Sequence, residues 1–190
     1  MKVSVRALLA VLFLCSPHAA VGQAPVDVDP PGVTLFENVR VFDGRSESLS
    51  PPMSVLVPAY NEEVSIVDSV LSFLTLQYPH HEVVLVNDGS RDATMERLIE
   101  AYDLYEIPPA FMVSLPTQPV RAYYRSRTHS KLIVIDKENG GKADALNAAL
   151  NAARFPYVLA VDADTLVEPD ALLRLSRPFL LGKAVAAVGG

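Results

Sequence analysis

MSVLVPAYNEEVSIVDSVLSFLTLQYPHHEVVLVNDGS, residues 53–90, is the stretch on which the fold turns. Its first five residues, MSVLV, form a short apolar run with the length of a buried strand. Asn61 is placed to cap a helix running to about Leu76. Within it Val64, Val67, Val70, Leu71 and Leu74 recur at helical spacing, with Ile66 and Phe73 beside them. Residues 82–86, EVVLV, are β-branched and read as a second strand. Strand, helix and strand in this order make a βαβ unit, whose crossover leaves the two strands parallel.

The pattern continues outward. Ser90 or Asp92 is placed to cap a helix whose inner face is Met95, Leu98, Ile99 and Tyr102. Residues 104–130 carry four prolines and read as irregular. Residues 132–135 read as a third strand and residues 142–154 as an Ala-rich helix with Leu146 and Leu150 on one face. Residues 157–161 read as a fourth strand. Pro169 suits the first position of a helix through Leu175, and residues 184–188 read as a last strand. The expected class is α/β: a mostly parallel sheet flanked by helices, its strands buried on both faces as their unbroken apolar runs require.

Composition sets the outer limits. The 190 residues hold 16 Lys+Arg against 22 Asp+Glu, a net charge of -6, which argues against a nucleic-acid partner. Cys15 is the single cysteine, so no internal disulfide and no multi-Cys zinc site can form. Residues 1–24 have the layout of a signal peptide: Lys2 and Arg6, an apolar run over 7–15, then small residues. That run is well short of the roughly 20 residues a membrane span needs; the plainer reading is an N-terminal helix or weak anchor. Residues 25–52 are rich in Pro, Asp and Ser, as a linker is. Within them, GVTLFENVRVFDGRSESLSPP resembles the N-terminal strand segment of secreted amidohydrolases. It carries none of that family's catalytic residues, and no His-x-His pair follows among His18, His80, His81 and His129. Residues 25–52 are therefore a linker or a strand segment of foreign origin, and residues 53–190 form the domain.

Ligands of open α/β sheets bind beyond the carboxyl ends of the strands. Tyr60, Asn61, Glu62 and Glu63 follow the first strand, and Asn87-Asp88-Gly89-Ser90 the second. Asp162-Ala163-Asp164 follows the fourth, and Asn139-Gly140-Gly141-Lys142 opens the Ala-rich helix. Taken singly, each has a plainer reading. Glu62 and Glu63 are helix-opening acids, Asp88 belongs to a turn, and Lys142 is a solvated lysine. Taken together, they crowd acids along one sheet edge, which is costly without a cation. Asp162 and Asp164, two apart, would share one face of an extended chain and could hold Mg²⁺ or Mn²⁺, which prefer oxygen ligands. Lys142 at a helix start is better placed if an anion binds there.

Other templates fail. The Gly-Gly-Lys run lacks the first glycine and the Ser/Thr of a P-loop, and neither G-x-G-x-x-G after a strand nor G-x-S-x-G is present. Arg121, Tyr123, Tyr124, Arg125, Arg127 and Lys131 read as a solvated strand edge, with phosphate or acidic glycan binding as the minor alternative.

VPAYNEE (57–63), VNDGS (86–90), NGGKADALNAAL (139–150) and VDADTLVEPDAL (161–172) together resemble the motifs of family 2 glycosyltransferases of the inverting, processive-synthase type. They run in family order over residues 53–190. The resemblance is strongest to membrane synthases that polymerise N-acetylglucosamine and to chitin and hyaluronan synthases. It implies a GT-A fold that takes a sugar from a UDP-sugar to a glycan acceptor. It also implies roles: Tyr60, Glu62 and Asp88 at the uridine, Lys142 near the phosphates, Asp162 at the ribose and diphosphate, and Asp164 with Asp162 at the metal. The family's acidic base motif, its Gln-x-x-Arg-Trp motif and its membrane helices are expected beyond Gly190. Residues 53–190 are accordingly expected to be an incomplete, donor-binding half, able to bind donor but not to turn over, and no catalytic base is assigned. A signal peptide conflicts with a cytosolic donor, so localisation stays open between export and the membrane. A nucleotide-sugar-binding remnant, a receiver-type signalling domain and an amidohydrolase fragment are the alternatives. The Asp-Ala-Asp pair and the Gly-Gly-Lys loop fit the receiver type poorly.

Overall fold

The computed structural model describes residues 51–109, 113–180 and 188. The signal-like segment, the 25–52 segment up to residue 50 and the strand expected over 184–188, except residue 188, lie outside the described residues. The chain order is β1 (Met53–Ala59), α1 (Ile66–Leu74), β2 (His81–Asp88), α2 (Thr94–Tyr102), β3 (Leu104–Ile107), β4 (Val120–Ser126), β5 (Leu132–Lys137), α3 (Lys142–Ala152), β6 (Tyr157–Ala160) and α4 (Ala171–Leu180). The six strands form one sheet in the order β3-β4-β5-β2-β1-β6. β1 pairs with β2 and β6, and β2 with β5, all parallel. β4 joins β5 and β3 antiparallel.

Strand alternation divides the core into two layers. Val55, Val57, Val83, Leu85 and Val134 point to one face and pack with Ile66, Val70 and Phe73 of α1, Leu98 and Tyr102 of α2 and Leu172 of α4. Leu56, Val84, Val86, Ile133 and Ile135 point to the other and meet α3 through Ala145, Ala148, Ala149 and Leu150. Both faces of the central strands are thus covered, so they need no polar positions. The small alanines of α3 let it lie close on β1 and β2, which it contacts about equally.

Two expectations are corrected. The first concerns residues 104–130, which contain β3 and β4 rather than irregular chain alone. Pro108, Pro109, Pro116 and Pro119 flank these strands without entering them. β4 is second from the sheet edge and half-buried, so its alternation VRAYYRS lacks the unbroken apolar run that marks the central strands. The second concerns Asn61, which caps nothing. Its φ of 58° places it in the left-handed region, and α1 begins five residues later, at Ile66. Residues 61–63 are instead tied to the loop after β2. The Asn61 amide donates to Ser90 Oγ (2.9 Å), the Arg91 amide to Asn61 Oδ1 (2.8 Å) and the Glu62 amide to Thr94 Oγ1 (2.8 Å). Among the described residues no helix is long and apolar enough to cross a membrane.

Candidate functional site

β1, β2, β5 and β6 run parallel, so their carboxyl ends share one edge of the sheet. An open cleft of about 390 Å³ lies along that edge. β1 contributes Pro58 and Ala59, followed by Tyr60 and Glu62, and β2 contributes Asp88. The loop into α3 contributes Asn139, Gly141 and Lys142, and the segment after β6 contributes Asp162, Ala163 and Asp164. Tyr60, Glu62, Asp88, Lys142, Asp162 and Asp164, drawn from four places in the sequence, therefore line a single cavity.

The two acids after β1 have different settings. Glu62 borders the cleft and accepts a hydrogen bond from Ser65 Oγ at 2.9 Å. Glu63 faces α2: its carboxylate accepts from the Ala93 amide (2.9 Å), while its own amide donates to Asp92 (3.1 Å). Because α1 starts at Ile66, neither acid opens that helix. Burial pushes the Asp92 carboxyl up, but hydrogen bonds from Thr94 and Glu63 outweigh it and hold it below the usual range. Asp92, rather than Ser90, supplies the polar atom at the start of α2, accepting from the Thr94 amide at 3.1 Å.

Asp88 is buried and crowded with donors. Lys137 Nζ lies 2.6 Å from its Oδ1, the Gly140 amide 3.0 Å from Oδ1, and the Gly141 amide 2.7 Å from Oδ2. Two glycines make this approach possible. A Cβ on Gly89, where φ is +68°, would lie 2.7 Å from the Asn139 amide nitrogen, and one on Gly140 would lie 2.5 Å from Asp144 Cγ. A side chain at Gly89 would push its loop away from the 139–141 loop, and one at Gly140 would collide with the Asp144 carboxylate.

Asp162 and Asp164 reach the cleft from a turn, not from extended chain. β6 ends at Ala160, and the Thr165 amide donates to the Asp162 carbonyl at 3.1 Å. Both residues are exposed, and Asp162 pairs with Lys142 Nζ at 2.5 Å. Among the described residues, no group of three or more His, Cys, Asp or Glu side chains could hold a metal ion. Two exposed carboxylates suit a hard cation in kind but are too few to enclose it, so the remaining oxygens must come from a ligand or water. An anionic ligand carrying its own oxygens, bound beside Lys142, fits this incomplete set.

Sequence reasoning missed Lys137 and Asp144 behind the cleft and left Asn139 on its wall without a role. Asn139 Nδ2 donates to the Asp88 carbonyl at 2.8 Å. The third strand, expected to stop at Ile135, continues to Lys137 and so brings that lysine level with Asp88 in the sheet.

Comparison with known proteins bears on the family and the fold. A poly-β-1,6-N-acetyl-D-glucosamine synthase of Staphylococcus epidermidis is 31% identical over 138 residues, covering 73% of this chain and 28% of the relative. Its namesake in Staphylococcus aureus (strain COL) is 30% identical over 139 residues, with the same coverage. This chain therefore spans 28% of the length of these relatives. The solved structure of the mannosyltransferase PcManGT from Pyrobaculum calidifontis, in complex with GDP-Man and Mn²⁺, shares the GT-A fold. It superposes with a TM-score of 0.55 at 24% identity, over 85% of this chain and 37% of that one. The profile of glycosyl transferase family 2 matches residues 54–190, and the chain belongs to that family.

Proposed function

We propose that the cleft binds a UDP-sugar as the donor for inverting glycosyl transfer to a glycan acceptor. The observation that carries this reading is the convergence of Tyr60, Glu62, Asp88, Lys142, Asp162 and Asp164 on one cavity at the carboxyl edge of a parallel sheet. Tyr60, an exposed aromatic at the cleft, offers a face for the uracil ring, and Glu62 and Asp88 offer acceptors to the nucleoside. Asp88 is held from behind by backbone amides, so it presents a fixed surface. Lys142 sits at the first position of α3, where its ammonium and the free amides of the helix start suit a phosphate. Asp162 lies at the ribose and diphosphate, and with Asp164 it would hold Mg²⁺ or Mn²⁺. When bound, that ion neutralises charge on the departing diphosphate. The chain's own residues position the donor, which is a large part of what such a transfer needs. The similarity to poly-N-acetylglucosamine synthases supports an N-acetylhexosamine as the sugar and a growing glycan as the acceptor, with membrane association in full-length members of the family. No described residue is assigned as the base.

Calorimetry tests the reading directly. The chain binds UDP in the presence of Mn²⁺, and Asp164→Ala weakens that binding roughly tenfold or more, the equivalent of about 1.4 kcal/mol. Absence of UDP binding, or binding indifferent to Asp164→Ala, sinks it.

A further inference from the structure

Behind the cleft, the Lys137 side chain is wholly buried. A buried ammonium is costly unless each of its three protons finds an acceptor. Here all three do: Asp88 Oδ1 at 2.6 Å, Asp144 Oδ2 at 2.6 Å and the Glu138 carbonyl at 2.5 Å. The two carboxylates belong to different elements, Asp88 to the end of β2 and Asp144 to the first turn of α3. Without the ammonium between them they would face each other as like charges. Asp88 in turn receives the Gly140 and Gly141 amides, the two residues that lead into Lys142.

We propose that Lys137 is a positioning residue for the cleft: by joining Asp88 to Asp144, it sets the 139–141 loop and thereby aims Lys142 at the bound anion. Lys137 is absent from the cleft lining and touches no ligand; it acts through the loop. The β5 register puts it directly beside Asp88, and Gly140 leaves no room between the loop and Asp144. The loop therefore has one seat, and the ammonium holds both of its supports. The affinity consequence rests on the donor reading above; the loop consequence does not.

The experiment has two arms. In the wild-type chain, the Gly140 and Gly141 amides resist hydrogen exchange by about a hundredfold or more relative to free peptide. In Lys137→Met and Lys137→Gln, exchange speeds up at residues 139–142 while the β1 and β2 amides keep their protection. In the second arm, UDP affinity measured with Mn²⁺, well below each variant's melting temperature, falls about tenfold, as when support behind a binding group is removed. A purely structural lysine would lower the melting temperature and leave both readouts at their wild-type values; that result overturns the inference. Unprotected Gly140 and Gly141 amides in the wild type overturn it as well, even if neither variant folds. Failure of the wild-type chain to bind UDP refutes the donor reading alone, because exchange still decides the role of Lys137.

Discussion

His81 shows at single-residue scale how far the sequence can be read. In the sequence it has no role beyond its place among four histidines; in the fold it is the first residue of β2 and is buried. Nδ1 lies 2.8 Å from the Tyr78 carbonyl and Nε2 3.2 Å from the Phe73 carbonyl. Burial pulls its pKa below 6.5, and Lys131 adds to this; together they outweigh the opposing effect of the carbonyls. The ring is therefore neutral in the fold and takes up a proton more readily in the unfolded chain. Its contribution is fully present above the unfolded pKa and is lost as pH falls through about 6.5 towards the lower folded value. Urea midpoints measured from about pH 8 to about pH 5 should decline on the acid side, and His81→Gln should flatten that decline. Glu82 carries the same lesson. Wholly buried, it accepts from Ser54 Oγ (2.7 Å), the Arg154 amide (2.7 Å) and Arg154 Nε (2.6 Å). Its charge was visible in the sequence but its partners were not, because Arg154 lies 72 residues away. The acids of the cleft were legible for a different reason: a polar residue directly after an apolar strand is conspicuous without knowledge of its partner.

Elements were legible where burial imposes a period. α1, α2 and α3, and β1, β2, β5 and β6, pack into one of two apolar layers, and their spacing announces it. β3 and β4 escaped because half-exposed strands at or beside the sheet edge mix tyrosines with charged residues. Helix starts were also poorly foretold: α1 begins only where residues 61–63 leave the loop after β2. The joint between α1 and α2 makes a measurable prediction. Tyr102, at the end of α2, donates its hydroxyl to the Val67 carbonyl of α1 at 2.6 Å. Burial, with Asp68 adding, pushes its pKa up to about 12, so it stays protonated and donating over the working pH range. Tyr102→Phe should cost about 1 kcal/mol in urea unfolding, the net worth of one such bond. It should leave UDP affinity unchanged, because the joint lies apart from the cleft.

At the scale of the whole molecule, one convention made the site readable before its geometry was known: in a parallel sheet, binding groups gather where the strands end. What that convention cannot supply is how those groups pair with one another, and here the Lys142–Asp162 pair matters. Both partners are more than half exposed, so the pair is worth at most about 1 kcal/mol and breaks readily. On the proposed donor reading, each partner would also be claimed by a different ligand: the carboxylate by a cation, the ammonium by an anion. On that reading, a cation arriving at Asp162 would set Lys142 free and an anion arriving at Lys142 would set Asp162 free, so each ligand would prepare the place of the other. Such coupling is reciprocal by thermodynamic necessity. Titrations of Mn²⁺ without UDP, and of UDP with and without Mn²⁺, should show it. Lys142→Met should tighten Mn²⁺ binding in the absence of nucleotide while weakening UDP. On that reading the Lys142–Asp162 pair is an internal counter-ion, a placeholder that would make metal and nucleotide arrive as partners rather than as rivals.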